Sequence, residues 1–399
     1  MSCSERGRPR MPCRSFMRQL AGRRRFRVVI AALAFAASSA AGTAAAAEAA
    51  TLHVTPGAAG TSCTAVAPCG SFRAAHQAAQ PGDTVLVAGG SYPEQMIGPS
   101  TKQGAVITFK PALGATVTLG GLSIEGVKDV EVQDMTTSGW QVESTDRVTL
   151  RRVKSVRPGG STPGGFIRDD VGFRGIDLEI GPLDPGDGLQ IWPPLAGQRH
   201  NSDVRFDGLW MHDLTNSNDP TYHTDCVQLV DGSGIVFNRA KFYNCATQGF
   251  YSQADFGGGV VDGVTVENSF LGPAQLGYYS LHLRAQGRNF TIRNNTFTAP
   301  VYVQDVTGVT MTGNVFAALP DYLCGPLASR TTFSYNVVPA ACAGANTTNK
   351  VASDIRASLV APDPTSSAGY NAHLKAGSPD RSEERRVGKE CRSRWSPYH

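Results

Sequence analysis

The sequence predicts an all-β chain coiled into a right-handed parallel β-helix. Two observations carry the prediction: a strand-and-turn phrase that repeats through the second half, and short alternating strands spaced like the coils of a solenoid. The stretches 263–271, 289–298, 308–317 and 331–339 each read as a short alternating strand, then an asparagine, one further residue and an apolar residue. The asparagines are Asn268, Asn295, Asn314 and Asn336, at spacings of 27, 19 and 22 residues, and residues 234–243 repeat the phrase with Ala240 at the turn. One coil cannot bury its own apolar face, so coils stack and like residues fall on like. An asparagine at such a turn tolerates a left-handed backbone and bonds its amide to neighbouring coils.

A second strand precedes the asparagine strand in several coils. Leu189-Gln190-Ile191, Val227-Gln228-Leu229, Leu281-His282-Leu283 and Val301-Tyr302-Val303 all place apolar residues inward and the central residue outward. The outward residues predict a ladder of Gln190, Gln228, Tyr251, His282 and Tyr302, with Ser280, Arg284 and Gln304 beside it; the register of Tyr251 is open by one. Amides and aromatic faces on one surface suit a sugar polymer. Looser strands in the first half include 105–109, 121–124, 129–132 and 147–150.

The two ends read differently from the body. Residues 1–47 combine nine arginines with an apolar run from Val28 and an Ala45-Ala46-Ala47 cleavage site, as expected of an export signal and too short to span a bilayer. Arg23-Arg24-Arg25-Phe26 resembles a twin-arginine signal; an ordinary secretory signal is the alternative. Residues 381–399 are abruptly charged, resemble a translated sequencing adapter and are expected to lie outside the fold. Between these ends we expect a cap and first coil at 48–100, the β-helix at 101–340 and a C-terminal segment at 341–380 that is cut short. Both ends are basic, six basic residues facing three acids at 381–399, so the chain's +4 leaves a net acidic body. That excludes nucleic acid as the expected partner. The body has six cysteines, Cys63, Cys69, Cys226, Cys245, Cys324 and Cys342, and the near pairs are the simplest of the possible disulfide patterns of a secreted chain.

The opening of the body carries a resemblance. Thr51-Leu52-His53-Val54, Ser71-Phe72-Arg73-Ala74-Ala75, Pro81-Gly82-Asp83 and Gly90-Ser91-Tyr92 resemble the start of pectate-lyase-like right-handed β-helix proteins. The resemblance implies a short helix capping the open end of the solenoid, where bare strand edges would otherwise pair with another molecule. It also implies extracellular polysaccharide as the partner; the chain is expected to be a monomer. It is less specific for chemistry, because the fold hosts lyases, hydrolases and non-enzymes.

Asp187-Gly188-Leu189-Gln190-Ile191 matches Asp225-Cys226-Val227-Gln228-Leu229. If these coils are adjacent, Asp187 and Asp225 stack about 5 Å apart. Carboxylates that close share a proton or bind a cation, calcium being the expected ion, and their separation suits a retaining hydrolase. Asp187 and Asp225 are equally readable as turn acids that accept local amides. His223-Thr224-Asp225 resembles the Asn-Thr-Asp segment of polygalacturonase-type hydrolases, but their paired aspartates one coil later are replaced by Cys245-Ala246-Thr247-Gln248-Gly249. A lyase needs a base and a charge clamp, which His223, His282 and Arg284 offer. The expected site is therefore Asp187, His223, Asp225, His282 and Arg284, with Gln190, Gln228, Tyr251, Tyr302 and Trp192 binding glycan. Trp210, His200 and His212 are read as further walls of that cleft, and Asp169, Asp170, Asp203, Asp207 and Asp213, with His212, as further ligands for a metal. The competing function is a non-catalytic glycan-binding or structural envelope protein.

Overall fold

A computed structural model describes residues 48–157, 162–272, 279–318, 331–340, 348–362 and 366–378. Two parallel sheets run along the molecule, one of them folded lengthwise at a corner, so the coils present three faces. The chain is a right-handed parallel β-helix. The ladder face holds Gln95–Ile97, Leu122–Glu125, Leu189–Ile191, Asp225–Leu229, Gln248–Gln253, Leu281–Arg284 and Val301–Val303. Trp140–Arg151 and Gly165–Val171 pair on the ladder face and turn the corner onto the second face. The second face continues through Gly232–Asn238, Val261–Glu267, Arg288–Arg293 and Val309–Thr312, the strands of the repeated phrase. The third face carries shorter strands, among them Trp210–Leu214 and Lys241–Cys245.

Inward residues form one continuous apolar core along the axis. Like residues stack from coil to coil: Phe206 on Phe237 at 4.9 Å and Phe297 on Phe316 at 5.0 Å, both near parallel. The expected cap is helix Phe72–Ala78, N-capped by Ser71, whose Oγ accepts the Ala74 N–H at 3.2 Å. Phe72 is fully buried against Phe109 at 5.2 Å, so the helix plugs the first coil. At its other end Lys102 Nζ donates to the carbonyls of His76, Gln77 and Ala79 at 2.6, 2.7 and 2.6 Å, satisfying acceptors a helix C-terminus leaves open. Asp83 of the Pro-Gly-Asp turn accepts the N–H groups of Ala50 and Gln80, both at 2.7 Å.

The asparagine ladder is present, with one correction. Asn295, Asn314 and Asn336 are buried, and Asn349 continues the stack. Asn314 Nδ2 donates to Ile292 O at 2.9 Å and to Asn336 Oδ1 at 3.0 Å, while its Oδ1 accepts Asn295 N–H at 3.0 Å. Asn268 is not a rung: the pairing of Phe270 with Thr296 puts Ser269 on the stack, above Asn295. Asn268 stands one residue earlier, at φ 53°, in line with Asn294 (φ 59°), Gly313 (φ 67°) and Tyr335 (φ 57°). Two jobs assigned to one asparagine are divided between neighbours, a left-handed residue outside and a hydrogen-bonding residue inside.

Two of the three expected disulfides, Cys63–Cys69 and Cys226–Cys245, are formed. Cys324 and Cys342 lie outside the described residues, as do the export segment and the adapter-like tail. Among the described residues no helix is long and apolar enough to cross a membrane.

Candidate functional site

The strands of the ladder face set the outward rungs, and the residues just outside two of them carry Asp187, Trp192 and His223. Gln190 pairs with Gln228, Gln228 with Tyr251, Tyr251 with His282 and His282 with Tyr302, which settles Tyr251 as an outward rung. Inward Leu281 and Leu283 are fully buried and hold His282 facing out. Arg284 is the next outward residue, paired with Gln253. Ser280 turns inward instead, its hydroxyl donating to Leu271 O at 2.9 Å.

Leu189 pairs with Val227, so the matching Asp phrases do lie on adjacent coils and Asp187 stacks on Asp225. Gly188 follows Asp187 because the chain turns inward there: a β-carbon would meet Met211 Sδ at 2.9 Å and Leu214 Cδ2 at 2.7 Å. One coil on, the position is Cys226, whose bond to Cys245 ties the start of the Asp225 strand to the third face.

The two acids differ in their partners. Asp187, 3% exposed, accepts the Asp225 N–H and the Gln190 amide, both at 2.7 Å. That is the turn-acid behaviour the sequence also allowed. Asp225, 0% exposed, receives no well-aligned hydrogen bond on either oxygen. Its close neighbour is His223, whose Nδ1 lies 3.1 Å from Oδ2. Burial pushes the Asp225 carboxyl up to about 7, the Asp187 charge adds to this, and His223 opposes it. Burial raises Asp187 as well. His223 has a side chain half open to solvent, and its contact with Asp225 holds the imidazolium form above the ordinary histidine range.

The rest of the cluster is aromatic. The rings of His223 and Tyr251 lie 5.8 Å apart and those of Tyr251 and His282 5.2 Å apart. Tyr251 donates its hydroxyl to Gln253 Oε1 at 2.6 Å, and burial holds its phenol above the usual range. His282 Nδ1 contacts Gln248 Oε1 at 2.6 Å; burial first, then the charges of Arg284 and His223, bring its pKa down to about 4.

Sequence reasoning missed Tyr222, Gln248 and Tyr279. Tyr222 feels the Asp187 charge, and Tyr279 stacks on Tyr302 at 4.9 Å. Gln248 pairs with Asp225 across the next coil, the place where the polygalacturonase comparison showed a missing acid; that vacated motif position was the signal.

The expected cleft walls separate. Trp192 packs on Phe256 at 5.3 Å, near the ladder face. Trp210 instead stands on the third face, stacked on His212 at 4.2 Å with Lys241 above it. His200 pairs with Asp231. Three of the acids read as further metal ligands are ion-paired, Asp169 with Arg199, Asp203 with Arg174 and Asp207 with Arg239, and Asp213 Oδ2 lies 2.9 Å from His212 Nδ1. Asp170 is buried, accepting from Thr145 Oγ1 and from Phe173 N–H.

Among the described residues, Asp187, His223 and Asp225 are the one group that could hold a cation, with ligand atoms within 4.8 Å of one another. The donors do not fit calcium, which takes six to eight oxygens. Two carboxylates, one already holding two donors, and an imidazole nitrogen are a poorer and softer set.

No protein family model and no curated sequence matches the chain. Among solved structures it is similar to pectate lyase Pel9A, at 16% identity over 83% of this chain and 90% of that one, with a TM-score of 0.42. It is similar to a rhamnogalacturonan lyase at 10% identity over 84% and 98%, TM-score 0.45. A third likeness is to the PL6 family alginate lyase AlyGC, at 12% identity over 85% of this chain and 58% of that one, TM-score 0.29. At these values the likeness bears on neither substrate nor mechanism, and the chemistry rests on the side chains of the ladder face.

Proposed function

We propose that this chain is an exported protein that cleaves uronide-containing extracellular polysaccharide by β-elimination on its ladder face, with His223 as the base. The observation that carries the reading is the difference in exposure within the cluster. His223 is half open, whereas Asp187 and Asp225 are 3% and 0% exposed. Buried carboxylates cannot flank a glycosidic bond lying on the surface, which weighs against a double-displacement hydrolase whatever their separation. They can hold an imidazole in place and raise its basicity.

In this scheme His223 Nδ1 faces Asp225, leaving Nε2 to take the proton from C5 of the uronide. Arg284 offsets the uronide carboxylate, whose negative charge otherwise opposes loss of that proton. The electron pair forms the C4–C5 double bond as the C4–O bond breaks. Tyr251, kept protonated by burial, supplies a proton to the departing oxygen. Gln190, Gln228 and Tyr302 contact sugar rings to either side, and Trp192 borders the face. No step is routed through calcium.

The test is to assay the full chain on acidic polysaccharides with and without a chelator, following unsaturated-product absorbance and reducing ends together. Absorbance that persists in chelator and falls about 10²–10⁴-fold in His223→Ala is expected. Reducing ends without absorbance would make the protein a hydrolase. No turnover by a folded chain would favour a glycan-binding solenoid.

A further inference from the structure

The ladder face holds a second imidazole whose surroundings are built for something other than proton transfer. His282 is 9% exposed, and its Nε2 is buried with no hydrogen-bond partner in the protein. Its Nδ1 lies 2.6 Å from Gln248 Oε1. A carboxamide oxygen only accepts, so Nδ1 must carry the hydrogen. Burial among aromatic rings disfavours a second proton. Nε2 is then left as a bare lone pair. Three tyrosine rings stand around the imidazole, with ring centres 5.2 Å (Tyr251), 5.2 Å (Tyr279) and 4.7 Å (Tyr302) from its own.

A neutral acceptor walled by aromatic faces has a definite complement. It repels a carboxylate, gives nothing to a carbonyl and needs a donor. A sugar ring brings an apolar face for the tyrosines and a hydroxyl for the nitrogen. Gln248 pairs in register with Asp225, so one residue links the coil of the buried acid to His282.

We propose that Gln248 is a positioning residue that holds His282 as its Nδ1–H form, and that His282 Nε2, covered in the free chain, accepts a sugar hydroxyl when the rings of Tyr251, Tyr279 and Tyr302 part to admit it. This rests on the reading that the ladder face binds polysaccharide, but it does not require elimination chemistry. It assigns His282 to substrate recognition and leaves the proton transfer to His223.

The experiment is ¹⁵N NMR of the full chain labelled at histidine, at neutral pH. His282 is expected to show a protonated Nδ1 and a pyridine-type Nε2 before any sugar is added. Gln248→Leu should lose that fixed tautomer and Gln248→Glu should keep it. Tetragalacturonate and the neutral α-1,4-galactotetraose are then titrated in separately. Displacement of the Nε2 signal by either probe supports the hydroxyl contact, and Gln248→Leu should weaken that probe about tenfold, the worth of one hydrogen bond. Displacement by the neutral probe alone would sink the uronide reading and leave this one standing. An Nε2–H tautomer in the free chain, an unchanged tautomer in Gln248→Leu, or an Nε2 unmoved by both probes up to their solubility would overturn it.

Discussion

Two polar stacks run inside this solenoid, and they differ in one respect. In the asparagine stack of Asn295, Asn314, Asn336 and Asn349, each amide both donates and accepts, so each rung satisfies the next. In the acid stack, Asp187 and Asp225 can only accept when ionised; Asp187 holds two well-aligned donors, and Asp225 has only the poorly aligned approaches of His223 and the Gln248 N–H. A stacked amide is self-complementary and a stacked carboxylate is not. The first arrangement closes a structure; the second leaves a buried acceptor whose needs are met by a proton, by His223 or by a bound group.

The largest expected effect separates the stacks by function. Asp225→Asn keeps shape and burial but removes the charge that holds His223 in place. Activity should fall about 10²–10³-fold, within the range of lost acid–base assistance. The acid limb of kcat/KM should move to lower pH, because Asp225 is what raises His223. Stability should move the other way. The Asp225 carboxyl stands at about 7 in the folded chain against 3.8 in a model peptide. A raised folded-state value means that the folded chain holds its proton more tightly than the unfolded one. That contribution is complete below the unfolded value and is lost as pH rises through about 7. Thermal melts from pH 4 to pH 8 should therefore show Asp225→Asn gaining on the parent chain as pH rises. A variant that loses stability at pH 8 while keeping its activity would mean that the acid stack is structural, like the other one.

The second prediction strikes the asparagine stack. Asn314→Ala strands the Asn295 N–H and takes a donor from Ile292 O, while Asn336 Oδ1 keeps the backbone N–H of residue 314. Buried groups without partners cost about 1–3 kcal/mol each, and partial relaxation should leave a loss of about 2–4 kcal/mol. Denaturant unfolding checks it. The pH profile of activity should not move, since the stack lies on the turn after the second face. A shifted profile would show that the two stacks are coupled along the axis.

The same contrast explains what could be read in advance. Coil stacking follows from periodicity, so the strands, the outward ladder of Gln190, Gln228, Tyr251, His282 and Tyr302, and the adjacency of Asp187 and Asp225 were legible from spacing. Capping was legible from a phrase. The exposure of a side chain is not a matter of spacing: nothing in Asp-x-apolar-Gln-apolar says that both acids lie beneath the surface while His223 stays half open. The third face was misjudged for a related reason. Trp192 and Trp210 are 18 residues apart in sequence, but a solenoid turns a corner within that distance and carries them to different faces. Gln248 was passed over because it was read as an acid that had been lost rather than as an amide facing His282.

Asn268 gives the finest test, since it was taken for a rung and is not one. It holds φ 53° at the turn, and its Nδ2 reaches Asn238 Oδ1 at 2.8 Å on a partly exposed edge. Glycine adopts a left-handed backbone without penalty, so Asn268→Gly should change stability by no more than about 0.5 kcal/mol. At Asn295, one position along in its own coil, the same replacement removes the amide that donates to Val266 O at 2.8 Å and accepts Ser269 N–H at 3.0 Å, and should cost about 2–4 kcal/mol. Paired denaturant titrations of the two variants measure the difference. Equal losses would mean that the left-handed position and the buried position do not divide the work, and that the stack extends to Asn268 after all. A near-silent Asn268→Gly beside a damaging Asn295→Gly would establish that the turn's geometry and its hydrogen bonding are carried by separate residues. Asparagine then recurs at both positions for different reasons, tolerance of positive φ at one and a self-complementary amide at the other.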